Sequence, residues 1–300
     1  MSDAATMPRS FQFGVTAAAG SLPVTTRLAP SRSTVRKIPK KIEPDEARGN
    51  LFYPIESLSE DAYVVSGTVV LTPRPAELSV LLPLIFGGTW STGVLATAPI
   101  VDAFYYSHDR KVKVFNYGGC KVSRARLISS AGGQLRVELD IEGCTEAIAN
   151  AGTFPSLSLS TQTPLAHNQS VLNIDGTARL FDDFVLTVDN GLVLDRLFNG
   201  TTRSEIPQGD QVITLEMRNP FTTDELDLYQ IALAGMEADI TWTNGGTSLL
   251  LEFPGLSASP ETPGMDDKRQ EMPLRLTFKA HTVAGHAIAG PLKITLDATV

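Results

Sequence analysis

The histidines are the side chains best suited to proton transfer near neutral pH, and His108, His167, His281 and His286 all fall on or beside turn signals. His281 and His286 stand five positions apart at the end of a strand pattern, not on a helix face where two imidazoles converge on a metal. Asp182 and Asp183 are neighbours in an extended segment, so their carboxylates point to opposite faces and cannot share a substrate. Gly87-Gly88-Thr89-Trp90-Ser91-Thr92-Gly93 is glycine-rich but lacks the Gly-Lys-Ser/Thr ending of a phosphate loop. No Gly-x-Ser-x-Gly turn presents a serine nucleophile. Cys120 and Cys144 have no second pair beside them, which indicates neither a zinc site nor a disulfide framework; they read as buried or half-buried thiols of a reducing cytoplasm. The expectation is a protein that is not an enzyme and carries no cofactor or metal.

Phe104, Tyr105, Tyr106 and Trp242 suit either a sugar or base platform or the fill of a core or subunit interface, and the second use is the commoner in β proteins. Asn168-Gln169-Ser170 and Asn199-Gly200-Thr201 fit the glycosylation pattern, but no secretory signal accompanies them. The chain has 300 residues, 42% hydrophobic and 19% charged, enough for one large domain or two small ones and too apolar for a disordered chain. Its longest apolar run, Leu78 to Phe86, is broken by Ser79 and Pro83 and is far short of a membrane span. Charge is unevenly placed. Residues 1–48 carry eight basic and four acidic residues, +4, and the remainder 17 basic against 29 acidic, −12. An acidic body repels nucleic acid. A basic segment beside it suits an acidic protein surface better than DNA.

The elements that would position these residues are mostly strands. The first fifty residues are rich in Ala, Ser, Thr, Pro and Arg and read as an extended arm, ordered where it docks. Strands are expected at Tyr63 to Leu71, Lys111 to Phe115, Lys121 to Ser129, Gln134 to Glu142, Phe184 to Asp189, Gln211 to Arg218, Ala238 to Thr243, Thr247 to Phe253, Leu274 to Ala280 and Leu292 to Asp297. The clearest is Gln134 to Glu142. Leu135, Val137, Leu139 and Ile141 point one way; Gln134, Arg136, Glu138, Asp140 and Glu142 form a wet, mostly acidic face. Ala131-Gly132-Gly133 and Asn244-Gly245-Gly246 supply hairpin turns. Two stretches look helical. Ala76 to Phe86 carries an apolar stripe and is short or bent at Pro83, and a second helix runs from a capping box at Thr222 and Glu225 to Gly235. Each helix follows a strand and precedes an aromatic-bearing strand and a well-alternating one. The order suggests a duplicated unit of roughly 120 residues.

The segments Ser66 to Leu71 with Glu77 to Gly87, Val114 to Val122 with the hairpin to Gly143, Phe184 to Leu192, and Gln211 to Glu225 together resemble the tail tube proteins of long-tailed bacteriophages, over about Tyr63 to Ala280. The resemblance implies a mainly β fold: duplicated tail-tube-type β-sandwich or barrel units, each with one flanking α-helix, whose inner sheets join between subunits into a closed β-barrel channel. The units fall at 51–165, with a helix near 76–87, and 166–300, with a helix near 223–235, after a basic N-terminal arm over 1–50. It further implies a structural virion protein, assembled in the host bacterial cytoplasm into the phage tail. The chain would pair with itself in rings, trimeric and pseudo-sixfold or else hexameric, stacked around a channel for genome ejection. Its other partners would be a tape-measure protein, tail terminator or distal tail proteins, and phage DNA passing without specific binding; there is no membrane partner. Acids lining the channel would repel phosphates, with Glu138, Asp140, Glu142 and Glu216 as candidates. Arg32, Arg36, Lys37, Lys40 and Lys41 would make inter-ring contacts, and removing residues 1–48 should leave a folded body that no longer polymerises. The alternatives are the tube of a prophage-derived injection particle and a β-sandwich module that binds carbohydrate or another surface.

Overall fold

A computed structural model describes residues 12–42, 59–196, 200–220, 235–258 and 273–297. The chain runs β1 (Gln12–Val15), β2 (Thr26–Leu28), β3 (Pro30–Ser33), β4 (Arg36–Ile42), β5 (Ser59–Leu71), α1 (Pro75–Phe86), β6 (Trp90–Ser91), β7 (Val94–Ala96), β8 (Phe104–Asp109), β9 (Lys113–Ser130) and β10 (Arg136–Gly143). It continues with β11 (Thr145–Asn150), β12 (Ser170–Ile174), β13 (Thr177–Arg179), β14 (Asp183–Asp189), β15 (Val212–Pro220), β16 (Met236–Asn244), β17 (Thr247–Ala258), β18 (Pro273–Ala280) and β19 (Lys293–Asp297). The architecture is mainly β, as expected, and every strand pairing among the described residues is antiparallel. No helix among the described residues is long and apolar enough to cross a membrane.

The strands form one connected network with three regions. The main sheet runs β3 and β4 together, then β5, β10, β9, β14, β15, β18, and the last residues of β17. The second runs β13, β12, β16, β17, β19, β7, β6. The third, smaller region runs β2, β1, β8, β9, β11. Among the described residues the network does not close on itself. In the main sheet, the order β3/β4–β5–β10–β9 is followed by β14–β15–β18–β17.

Strand β9 explains how two sheets share one strand. The sequence suggests two short strands separated by Gly118-Gly119, but the structure has one strand of 18 residues. Gly119 has φ +64°, and a β-carbon there would sit 2.9 Å from the Cys144 sulfur. The glycine lets the strand turn without stopping. Its first half pairs with β8 and β11, and its second half with β10 and β14.

The N-terminal stretch differs from the expected arm. β1 pairs with β8, and β3 and β4 pair with β5, within the same chain. Val15, Val24, Leu28 and Val35 are buried. Removing residues 1–48 would therefore strip core side chains, so a folded remainder is not the outcome this structure supports. Pro39 lies in β4, which among the described residues pairs on one side only, where the missing amide donor costs nothing to the ladder.

The buried faces of the two larger sheets meet in one core. Phe184 of β14 packs edge-on against Trp242 of β16, ring centroids 5.5 Å apart. Phe104, Tyr106 and Trp242 are all fully or almost fully buried core residues. Helix α1 closes the side of this core against β2, β9, β17 and β19. It starts with Pro75 at its first position, and Glu77 reaches back to accept the Arg74 amide at 3.0 Å. It ends at Gly87, φ +70°. The buried Asn190 amide donates to the carbonyls of Ile85 (3.0 Å) and Val122 (2.9 Å), tying the helix end to β9. The second helix expected after Thr222 lies outside the described residues.

Candidate functional site

Among the described residues the titratable groups stand apart, each with its own partners. His108, expected on or beside a turn, is 6% exposed inside β8 and stacks on Phe13 at 4.3 Å. Burial, with Arg110 nearby, pushes its pKa down to about 4. His167 lies between the Ser129 hydroxyl (3.0 Å) and the Phe181 carbonyl (3.2 Å), which accounts for both ring nitrogens. His281 meets the Ser257 hydroxyl at 2.7 Å, and His286 lies 3.4 Å from Glu237. Burial pushes the thiols of Cys120 and Cys144 up, away from the reactive thiolate. Among the described residues no group of three or more His, Cys, Asp or Glu is placed to hold a metal. With Phe104, Tyr106 and Trp242 buried, these aromatics offer no platform for a sugar.

The outward face of the main sheet is where the chemistry gathers. Strand register puts residues directly opposite each other on the same face. Glu138 of β10 faces Arg126 of β9; Asp140 faces Arg124; Glu142 faces Lys121. The four acids of interest all point outward, but they do not form an acidic strip. Glu138 is held at both oxygens: Arg126 Nη1 lies 3.2 Å from Oε2 and Arg136 Nη2 lies 2.7 Å from Oε1. The Asp140 carboxylate accepts the Thr68 hydroxyl at 2.7 Å. Arg124, exposed, lies across from Asp140 on one side and Asp189 of β14 on the other. Glu216 sits on β15, three strand spacings across from Arg136 and two residues along from the level of Glu138, roughly 16 Å from Glu138, and is exposed. Its neighbours along the face are Arg218 on β15 and Arg275 opposite Arg218 on β18.

Glu142 is part of a buried ion pair. Arg203 donates to its Oε2 at 2.7 Å, and the Ser66 hydroxyl donates to Oε1 at 2.7 Å. The two side chains are 7% and 13% exposed. Arg203 also donates from Nε to the Leu194 carbonyl at 2.9 Å, so the connection between β14 and β15 is strapped across β5 and β10. The Tyr63 amide, which donates to the Thr201 carbonyl at 2.9 Å, fixes the same strap. Lys121, buried at this end of the face, donates to the Ile100 carbonyl at 2.9 Å, and burial pushes its pKa down.

The basic candidates are divided. Arg32 faces Val70, and Arg36 faces Ser66, so both share the outward face with the acids. Lys37 points to the other side and lies over the Tyr63 ring, 4.1 Å from its centroid. Lys40 and Lys41 belong to β4, with side chains outside the described residues. Sequence reasoning placed Arg136 on this face but missed Arg124, Arg126 and Arg203, which also answer the acids. Period-two alternation along β9 was the signal for Arg124 and Arg126. Nothing local pointed to Arg203, which reaches Glu142 across 61 residues of sequence.

No curated protein matches this chain. A family model described as phage tail tube protein matches residues 5–297. The match spans the sheets, the helix and the arginine–carboxylate face alike, and the chain belongs to the phage tail tube protein family.

Proposed function

We propose that this structural tail tube protein makes its tube by closing its open main sheet against other copies of itself, in stacked rings around a channel that conducts the genome. The observation that carries this reading is an edge. Among the described residues, β3 and β4 pair only with β5. β14 stands beside β15 as β3 and β4 stand beside β5, yet its other edge is covered by β9 of the same chain. The internal β9–β14 seam is thus a template for the seam between copies, in which the end of β17 at Ser257 and Ala258, past the last residue that β16 covers, meets β3 and β4 of the next. Such a closure removes the exposed edge from solution.

In this reading the outward face of the main sheet becomes the channel wall, since its other face is the core. The wall meets the tape-measure protein first and DNA at ejection, and terminator or distal tail proteins cap the ends. The tube assembles in the host cytoplasm. Negative-stain microscopy of the purified chain at rising concentration tests the proposal. Rings or filaments with a central hole are expected; a chain that stays monomeric throughout overturns it.

A further inference from the structure

The channel wall proposed above is not a uniform acidic lining. Guanidinium and carboxylate alternate on it, and a free guanidinium is the side chain best shaped to grip phosphate, with a fork of donors that no ordinary titration removes. A wall with such groups slows a polyanion unless something occupies the forks. Glu138 does so twice. One oxygen takes Arg126 at 3.2 Å and the other takes Arg136 at 2.7 Å. The arginines are 41% and 52% exposed, so both are within reach of a passing backbone, whereas Glu138 is 21% exposed and sits beneath them. Asp183 stands toward Arg218 at 3.8 Å in a looser version of the same arrangement.

We infer that Glu138 is a clamp: by engaging Arg126 and Arg136 at once it keeps the outward face of the main sheet from holding the nucleic-acid backbone. The inference rests on the tube reading for its biological sense, but the chemistry belongs to the single chain. The partner is any double-stranded DNA, recognised by phosphate and not by base. The clamp works by occupancy as well as charge, because each oxygen that accepts from an arginine uses donors that a phosphate oxygen would otherwise take.

The test uses the full chain kept below its assembly concentration and a fluorescent duplex of random sequence, with binding followed by anisotropy from roughly 50 to 200 mM salt. Glu138→Gln removes the clamp's charge and nearly keeps its shape. The control Glu237→Gln removes the same charge from the outer face of the second sheet, where Glu237 is 64% exposed. Glu138→Gln should bind DNA about 3- to 10-fold more tightly at the low-salt end, with a slope against log salt steeper by about 1–2, one unit per freed arginine. Glu237→Gln should stay within about 2-fold of the parent. Adding Arg126→Gln and Arg136→Gln to Glu138→Gln should return the affinity to the parent's. Equal effects of the two glutamine variants, or no effect of either, overturn the clamp. Melting curves establish that each variant is folded, and Glu138→Asp, which shortens the reach to the arginines, serves should the glutamine variant fail that check. The outcome is separable from the tube itself. Tubes whose Glu138→Gln variant binds no more DNA sink the clamp alone; a permanently monomeric chain whose variant gains DNA binding sinks the tube alone.

Discussion

Two residues show how burial decides what a charge can do in this molecule. Glu142 sits on the same face as Glu138, but Arg203 and Ser66 cover it. Its two oxygens are fully engaged, so it contributes little field to the face and much to the position of the β14–β15 connection. Glu142→Gln leaves the Arg203 guanidinium, 7% exposed, beside a neutral amide, and should lower unfolding free energy by about 2–4 kcal/mol in urea. Replacing both, as Glu142→Leu with Arg203→Met, should recover most of that loss. His108 gives the pH dependence. Its folded pKa of about 4 lies below the ordinary 6.5, so the unfolded chain binds the proton more tightly. The stability it contributes is complete above 6.5 and is lost as pH falls from 6.5 toward 4. The difference between the parent and His108→Phe, which keeps the stack on Phe13, should shift by roughly 2–3 kcal/mol across that window in favour of the variant. Parallel profiles would mean that the buried imidazole takes up its proton without hindrance.

Helix α1 shows how an element survives a residue that should break it. Pro83 has no amide hydrogen, so the Ser79 carbonyl, four residues earlier, loses its helical partner. The Trp90 indole takes that place, donating from Nε1 to the Ser79 carbonyl at 2.6 Å. The helix continues to Phe86, and the Gly87 amide then bonds back to the Pro83 carbonyl at 2.9 Å. Trp90→Phe should therefore cost about 1–2 kcal/mol, partly for the lost bond and partly for the stranded carbonyl. In the Trp90→Phe background Pro83→Ala restores a backbone donor, so it should stabilise more there than in the parent, a coupling visible in a thermal-denaturation cycle. Elements of this kind are legible where local pattern decides them. The alternation of β10 and the stripe and glycine stop of α1 mark those elements to within a residue or two. β9 looks like two strands because a glycine pair usually ends one, and only contact with Cys144 shows why this pair does not. β1 to β4 are invisible in the sequence because their residues alternate weakly and their pairing is supplied by β5 and β8, far along the chain. The face of acids is legible as a face, and so is Arg136, two residues from Glu138 on the same strand; Arg126 and Arg203 are not, since they reach Glu138 and Glu142 through register and from a distant connection.

At the scale of the whole molecule, the number of copies per ring follows from what the main sheet would contribute. Counting β3 with β4 as one position, it offers eight strand positions from that edge to β17. For strands about 4.8 Å apart and tilted about 40°, a closed sheet of about 24 strands has a backbone diameter of about 48 Å, and one of about 48 strands doubles it to about 96 Å. Side chains pointing inward take roughly 5 Å from each wall, leaving the smaller cylinder a bore that still admits a double helix with side chains close to it. The wider one would leave DNA far from every guanidinium and carboxylate, beyond a Debye length of about 8–10 Å, where the charge pattern of the wall could not act. Three copies are therefore expected in each ring, with the two strand sets of each chain giving the end-on view six similar lobes and true threefold symmetry. End-on image classes joined to the mass of a single ring decide the matter. A mass three times that of the chain, with lobes alternating in shape, agrees. A mass six times that of the chain would mean that only one strand set of each chain lines the channel, and that the seam between copies does not repeat the one between β9 and β14.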